Sequence, residues 1–402
     1  MIQHPTWISL TSTTSPKSTT RTDRQPAARP PPCGTHHQEE TTMRFTIARA
    51  DLARVIGAVS KIVEARSTIP ILSSLLLSAS TDANGGKLTV TGTDLDIVGT
   101  ASAPAEVDAP GTICVDAKLL GDIARKAGAS DVAVSLDADR LTVKSGRSRF
   151  NLAVLPAGDF PTMNEGSYDA EFEIDLAALF APVGFAISSD DVRYYLQGIF
   201  MHSLDGKIVA VATDGHRLSR HQVAYPGEDA FKGIIVPRKT VGLLPKGTVH
   251  VSVSETKIRI ASGDFVLTSK LIDGTFPDYQ RVIPTQNDKK IIFGSDDMRQ
   301  AAVRVSVVSS ERGRAVKLSF AAGEAKLSVN NPDSGSATDE IFVNYDGDPI
   351  DIGFNATYLT ELVGIFPAGD ITLALADSGS PSVFTSEKAP ELLAVLMPMR
   401  VH

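Results

Sequence analysis

The sequence predicts an α+β protein of three similar domains behind an unstructured N-terminal extension. A chain of 402 residues exceeds what one compact core accommodates. One strand-then-helix plan recurs three times along it. Between those recurrences lie short segments of alternating apolar and polar residues, bounded by Gly, Asp and Asn, which read as antiparallel strands.

Residues 1–42 stand apart from the rest. They are rich in Thr, Ser and Pro, show neither helical nor strand period, and are expected to be disordered. The lone tryptophan, Trp7, and one of the two cysteines, Cys33, fall there. "HHQEE" at 36–40 has metal-ligand chemistry, but in a flexible tail no metal site is expected of it. Met43 opens a clean strand pattern, so a start site placed too far upstream explains the extension better than a transit peptide does.

The first repeat begins "MRFTIARADLARVIGAVSKIV" at Met43, the second "AEFEIDLAALFAPVGFAI" at Ala170, the third "KKIIFGSDDMRQAAVRVSVV" at Lys289. A second element recurs as "LTVTGTDLDIVG", "IVAVATDGHRLSR" and "KLSVNNPDSGSATDE", placing Asp94 and Asp214 120 residues apart. A third element closes the first two units, with Phe160 and Phe276 separated by 116. The expected domains are 43–167, 168–286 and 287–402. Helical spacing gives a first helix with Leu52, Val55, Ile56, Val59 and Val63 inward and Arg54 and Lys61 outward. A second helix buries Leu119, Leu120 and Ile123 and turns Lys118 and Arg125 out. In the third repeat Met298, Ala301, Ala302 and Val305 form the stripe opposite Arg299. In the second repeat, Pro182 interrupts the first helix, which has no basic residue, and Arg238 and Lys239 supply the positive charge.

Composition bounds the function. There is no apolar run long enough to span a bilayer, so no membrane partner is expected. Two cysteines give no disulfide framework, which fits the cytoplasm. The extension holds four basic and three acidic residues, so the net charge of −8 becomes −9 over the remainder. That sign opposes binding DNA by bulk attraction. Basic residues nevertheless gather on the free faces of repeated helices, which makes a duplex the obvious ligand for such a lining.

"VATDGHRL" and "DVRYYL" concentrate polar groups, yet no phosphate loop, H-E-x-x-H, G-x-S-x-G or C-x-x-C pattern accompanies them. Asp214 and His216 with a distant carboxylate leave a metal-dependent hydrolase as the alternative function. The structural reading of "TDGHR" is a glycine turn in which Asp214 accepts backbone hydrogen bonds, leaving His216, Arg217 and Leu218 to line a surface.

"DVRYYL", "VATDGHRL", "VPRK", "FPDYQRV", "SGRSRF" and "VLMPMRV" resemble, in order and over the whole of 43–402, the signature segments of the bacterial β sliding clamp family, the processivity subunit of DNA polymerase III. The resemblance implies a non-enzymatic, cofactor-free ring of two head-to-tail protomers. Helices line its pore, sheets lie outside, and an ATP-driven clamp loader places it on duplex DNA without sequence preference. It implies a pocket for short peptides of the polymerase III catalytic subunit and other replication and repair proteins, formed by Arg193, Leu196, Thr213, Gly215, His216, Arg217, Leu218, Pro277, Arg281, Val282, Val395, Met397, Pro398, Met399 and Arg400. Met, Leu, Val and Pro would give an adaptable floor and Arg and His a polar rim. Arg54, Lys61, Arg66, Lys118, Arg125, Tyr194, Tyr195, Lys239 and Arg299 would face DNA. Arg149, Phe150, Arg304, Val307 and Val308 would form the dimer contact. Departures at Gln280, Gly379, Pro381 and His402 bear on peptide selectivity.

Because the extension has no apolar periodicity with which to dock, a chain starting at Met43 is expected to melt at the same temperature as the full chain. Calorimetry of both tests this, and a large fall on truncation would contradict it.

Overall fold

The computed structural model describes residues 43–401 apart from 65–66, 84, 165, 228–230 and 310–314. The extension, with "HHQEE" and Trp7, and the calls on Arg66 and His402 lie outside the described residues. The described residues form one compact unit.

The first repeat contains β1 (Arg44–Ala48), α1 (Arg49–Val59), β2 (Ser74–Asp82), β3 (Gly85–Thr93), β4 (Ile97–Pro104), β5 (Glu106–Ala109), β6 (Gly111–Asp116), α2 (Ala117–Lys126), β7 (Asp131–Asp137), β8 (Arg140–Ser145) and β9 (Ser148–Leu155). The second contains β10 (Ala170–Ile174), α3 (Leu176–Phe180), β11 (Gly198–Leu204), β12 (Lys207–Thr213), β13 (Arg217–Ala224), β14 (Ile234–Pro237), α4 (Arg238–Val241), β15 (Val249–Val253), β16 (Lys257–Ser262) and β17 (Phe265–Lys270). The third contains β18 (Lys289–Gly294), α5 (Ser295–Ser306), β19 (Ala315–Ala321), β20 (Glu324–Asn331), β21 (Gly335–Phe342), β22 (Ile350–Asn355), α6 (Ala356–Val363), β23 (Asp370–Leu375), β24 (Ser382–Thr385) and β25 (Leu392–Leu396). The architecture is α+β, and every strand pairing among the described residues is antiparallel.

The first repeat packs its helices on nine strands, and the second and third each on two groups of four. Strand alternation supplies one half of each core, as in β7 where Val132, Val134 and Leu136 are buried between exposed or half-buried neighbours. Helical spacing supplies the other half, through Leu52, Val55, Ile56 and Val59 on α1 and Met298, Ala301, Ala302 and Val305 on α5. Asp116 caps α2 by accepting from Leu119 N at 2.7 Å, and Asn355 caps α6 in the same way.

Two sequence expectations change here. Helix α1 stops at Val59, because the chain turns to send Ile62 into the core of the second repeat; Lys61 therefore sits in the turn, not on the helix. Leu119 is 53% exposed, since Ala117, Leu120, Gly121 and Ala124 already occupy the inward face of α2 and adjacent positions lie about 100° apart.

The repeats are joined through their sheets. Strand β17 pairs with β4, setting Leu267 opposite Gly99, and β13 pairs with β25, setting Leu218 opposite Val395. Gly99 permits the first seam, because a Cβ there would lie 2.1 Å from Ile62 Cδ1. Fully buried at that seam, Leu267 should cost about 2–5 kcal/mol when replaced by Ala, read as a lower midpoint in urea unfolding.

Candidate functional site

The polar segments flagged in the sequence meet at the second seam, between the second and third repeats. Thr213, Asp214, Gly215 and His216 form the turn from β12 to β13. Thr213 Oγ1 donates to Arg217 O at 2.7 Å and accepts from Gly215 N at 3.1 Å. Asp214 Oδ1 accepts from the backbone N–H groups of His216 and Arg217 at 2.9 and 3.0 Å. Gly215 takes φ +88°, and a Cβ there would lie 2.6 Å from the Arg193 guanidinium. A glycine turn built on Asp214 is thus what the residues form.

Arg217 is not the surface residue the sequence suggested. Its side chain is 10% exposed and runs into the third repeat. Nε donates to Asp214 Oδ2 at 3.0 Å, one terminal nitrogen pairs with Glu361, and the other donates to Phe185 O at 2.8 Å. Its guanidinium carbon lies 4.2 Å from the Tyr358 ring centre and 5.0 Å from that of Phe185. Leu218 is buried as well, with Leu196, Val395, Phe276 and Tyr279, in an apolar cluster that spans the seam. Thr213 spends its hydroxyl within the turn.

Of the predicted pocket residues, Leu196, Leu218 and Val395 share that cluster, and Met397 meets His216 beside it. Met397 N donates to His216 O at 2.8 Å, and Met399 N to Gly353 O at 2.8 Å, which carries the C-terminal strand across the turn. Met397, Val282, Pro277, His216 and Arg400 are exposed, and Pro398 and Met399 half-buried. Arg193 is held at the edge by Asp190 at 2.8 Å, a bond that keeps the Asp190 carboxyl below the usual carboxylate range. Arg281 pairs with Asp278 at 3.0 Å. Tyr279 accepts or donates one further bond that sequence spacing could not reveal, with His202 Nε2 at 3.0 Å. Burial pushes the His202 pKa down.

The basic residues assigned to the helices are more constrained than their sequence positions imply. Arg54 pairs with Asp51 at 3.1 Å, Arg125 with Asp122 at 2.6 Å and Arg299 with Asp296 at 3.4 Å. Each carries its own carboxylate one turn back, a D-x-x-R pattern present in the sequence and missed there. Lys239 does not project freely: its ammonium bonds Ile62 O at 3.1 Å and pairs with Asp94, across the first seam. Tyr194 is exposed and Tyr195 half-buried, on one turn of 3-10 helix with Leu196.

Asp214 has no free oxygen for catalysis, because both accept bonds from its own turn and Arg217. Among the described residues no three His, Cys, Asp or Glu side chains are grouped to hold a metal ion. No helix among them is long and apolar enough to cross a membrane.

Three family models match in succession: the N-terminal domain of the DNA polymerase III beta subunit over 43–164, its central domain over 173–278, and its C-terminal domain over 280–400. The chain belongs to the beta sliding clamp family. It is 42% identical to the beta sliding clamp of Caulobacter vibrioides (strain NA1000 / CB15N) over 376 residues, and 35% identical to that of Escherichia coli (strain K12) over 370; each comparison covers 89% of this chain and all of the relative. Among solved structures it is similar to a DnaN sliding clamp from Bartonella birtlesii bound to griselimycin, with a TM-score of 0.86 and 41% identity over 90% of this chain and all of that one. A C. crescentus beta sliding clamp with polyethylene glycol at a putative beta-motif tethering region matches to the same extent. This clamp is therefore a non-catalytic processivity subunit, and the hydrolase alternative falls.

Removing Arg217 should be costly, since Asp214 would be left as a nearly buried charge: Arg217→Ala is expected to lose about 3 kcal/mol or more in denaturant unfolding. Glu361→Gln, at the exposed end of the same network, should lose less than about 1 kcal/mol.

Proposed function

We propose that two copies of this chain close head to tail around duplex DNA in the cytoplasm, and that the second seam holds short peptides of the polymerase and other partners, with a clamp loader opening the ring. The observation that carries the reading is a series of strand pairings with one term missing. In the first seam β4 meets β17, and in the second β13 meets β25. The next member is β21, whose outer edge is unpaired among the described residues, and the first-repeat counterpart of β17 and β25 is β9. Beyond its pairing with β8, β9 touches β6 only at Cys114 and Val115. Pairing β21 with β9 of a second copy is heterologous, and repeating it twice closes a ring.

Apolar surface collects at those edges. Phe342 on β21 is 93% exposed and Val307, after α5, 81% exposed. Arg304 pairs with Asp339 of β21 at 2.5 Å, and Arg149 and Phe150 lie on β9. Lys118 is the second residue of α2 as Lys239 is of α4. Val308 packs on its own core, so Val307 is the better test. Val307→Asp should give monomers by sedimentation; a persistent dimer would refute this contact.

In the seam pocket, Leu196, Leu218 and Val395 form a fixed floor, Met397 and Val282 an adaptable edge, and Arg193, His216 and Arg281 a polar rim. Met397→Ala with Arg193→Ala should weaken peptide binding in fluorescence anisotropy while dimers persist. Loss of both together would make the pocket mainly structural.

DNA is held by enclosure. Arg54, Lys61, Arg125 and Arg299, with Tyr194 and Tyr195, centre the duplex and contact its backbone without reading bases. Clamps loaded on nicked circular DNA should survive high salt and leave when the circle is linearised. Equal retention on both templates, measured by gel filtration, would overturn the enclosure.

A further inference from the structure

A cavity of about 690 Å³ opens at the first seam, with Ile97, Leu271 and Ile272 as its apolar floor. The two seams are assembled from the same parts. Lys270 N donates to Asp96 O at 2.8 Å as Met397 N donates to His216 O. Thr93 Oγ1 donates to Ile97 O at 2.9 Å as Thr213 Oγ1 donates to Arg217 O. Position 97 therefore corresponds to position 217. At the second seam the guanidinium of Arg217 reaches from there to lie between Phe185 and Tyr358. At the first seam the shorter Ile97 leaves space.

The charges around that space are unequal. Asp94 is paired with Lys239, and Asp96 with Lys270 at 3.0 Å. Arg238 also lines the cavity, and one of its terminal nitrogens donates to Ile187 O at 2.6 Å and Ser188 O at 3.1 Å. Among the described residues no carboxylate pairs with Arg238. One planar cation with spare donors thus stands beside an apolar floor, in a cavity within the range of roughly 300–1,000 Å³ that small molecules occupy. A guanidinium matches a carboxylate through two parallel hydrogen bonds.

We propose that this cavity binds a small organic anion, an apolar or aromatic body bearing one carboxylate, with the body on Ile97, Leu271 and Ile272 and the carboxylate on Arg238. The test titrates the full chain, methyl-labelled at isoleucine, with 4-phenylbutyrate, its neutral amide, and thymidine monophosphate. Saturable shifts are expected at Ile97 and Ile272, with the amide about tenfold weaker for want of the charged hydrogen bonds. Arg238→Gln should weaken the acid to the level of the amide. Ser189→Trp, at an exposed position on the cavity wall, should block both ligands while leaving the cationic group in place. No saturable shift up to millimolar acid, equal binding of acid and amide, undiminished binding by either variant, or tighter binding of the nucleotide would each overturn the proposal.

Discussion

A strand at the edge of a sheet exposes a row of backbone donors and acceptors that must find partners, and in this chain they find them in the next repeat. Strand β4 receives β17 and β13 receives β25, so two edges that would invite aggregation become the joints of the molecule. The direction of each repeat follows from that pairing, and so do the places where polar turns from one repeat meet the last strand of the next. The proposed binding surfaces lie at these joints because two repeats contribute to each.

The two joints are locked differently. At the second, Arg217 supplies a guanidinium nearly removed from solvent, satisfied by two carboxylates, a carbonyl and two aromatic faces. A buried charge of this kind is tolerated only when its donors are used. At the first joint, the cation comes from the opposite side, as Lys239, and the apolar contribution comes from Ile62 and Ile97. Duplicated backbones thus support unlike side-chain solutions at equivalent points, one filling its cleft and the other leaving it open.

Much of this was legible in the sequence because it is local. The threefold plan shows in strand alternation and helix spacing, and the Asp214 turn in the order Thr, Asp, Gly, since each residue type has one conformational use there. The fate of Arg217 was not legible: Glu361 lies 144 residues away, and no period relates them. Leu119 was misplaced because Ala117, Leu120, Gly121 and Ala124 hold the inward face of α2 and leave it on the outer side. The Asp partners of Arg54, Arg125 and Arg299 were present in the sequence at a helical spacing and needed only to be read as pairs. The strand edges left open at β9 and β21 could be found only after the register of every other strand was known.

In the proposed ring those three Asp–Arg pairs would also shape the field that a passing polyanion experiences. A bare arginine is a monopole, whose attraction reaches about a Debye length, roughly 8 Å at physiological ionic strength. An arginine with its own carboxylate on the preceding turn is a dipole, and its potential falls off more steeply with distance. Phosphates moving past would cross a corrugated but shallow landscape of short range instead of a series of deep wells. Translational diffusion along the axis of such a ring would then have small barriers to surmount at each step, and its rate would depend only weakly on how the helices are spaced relative to the repeat of the duplex.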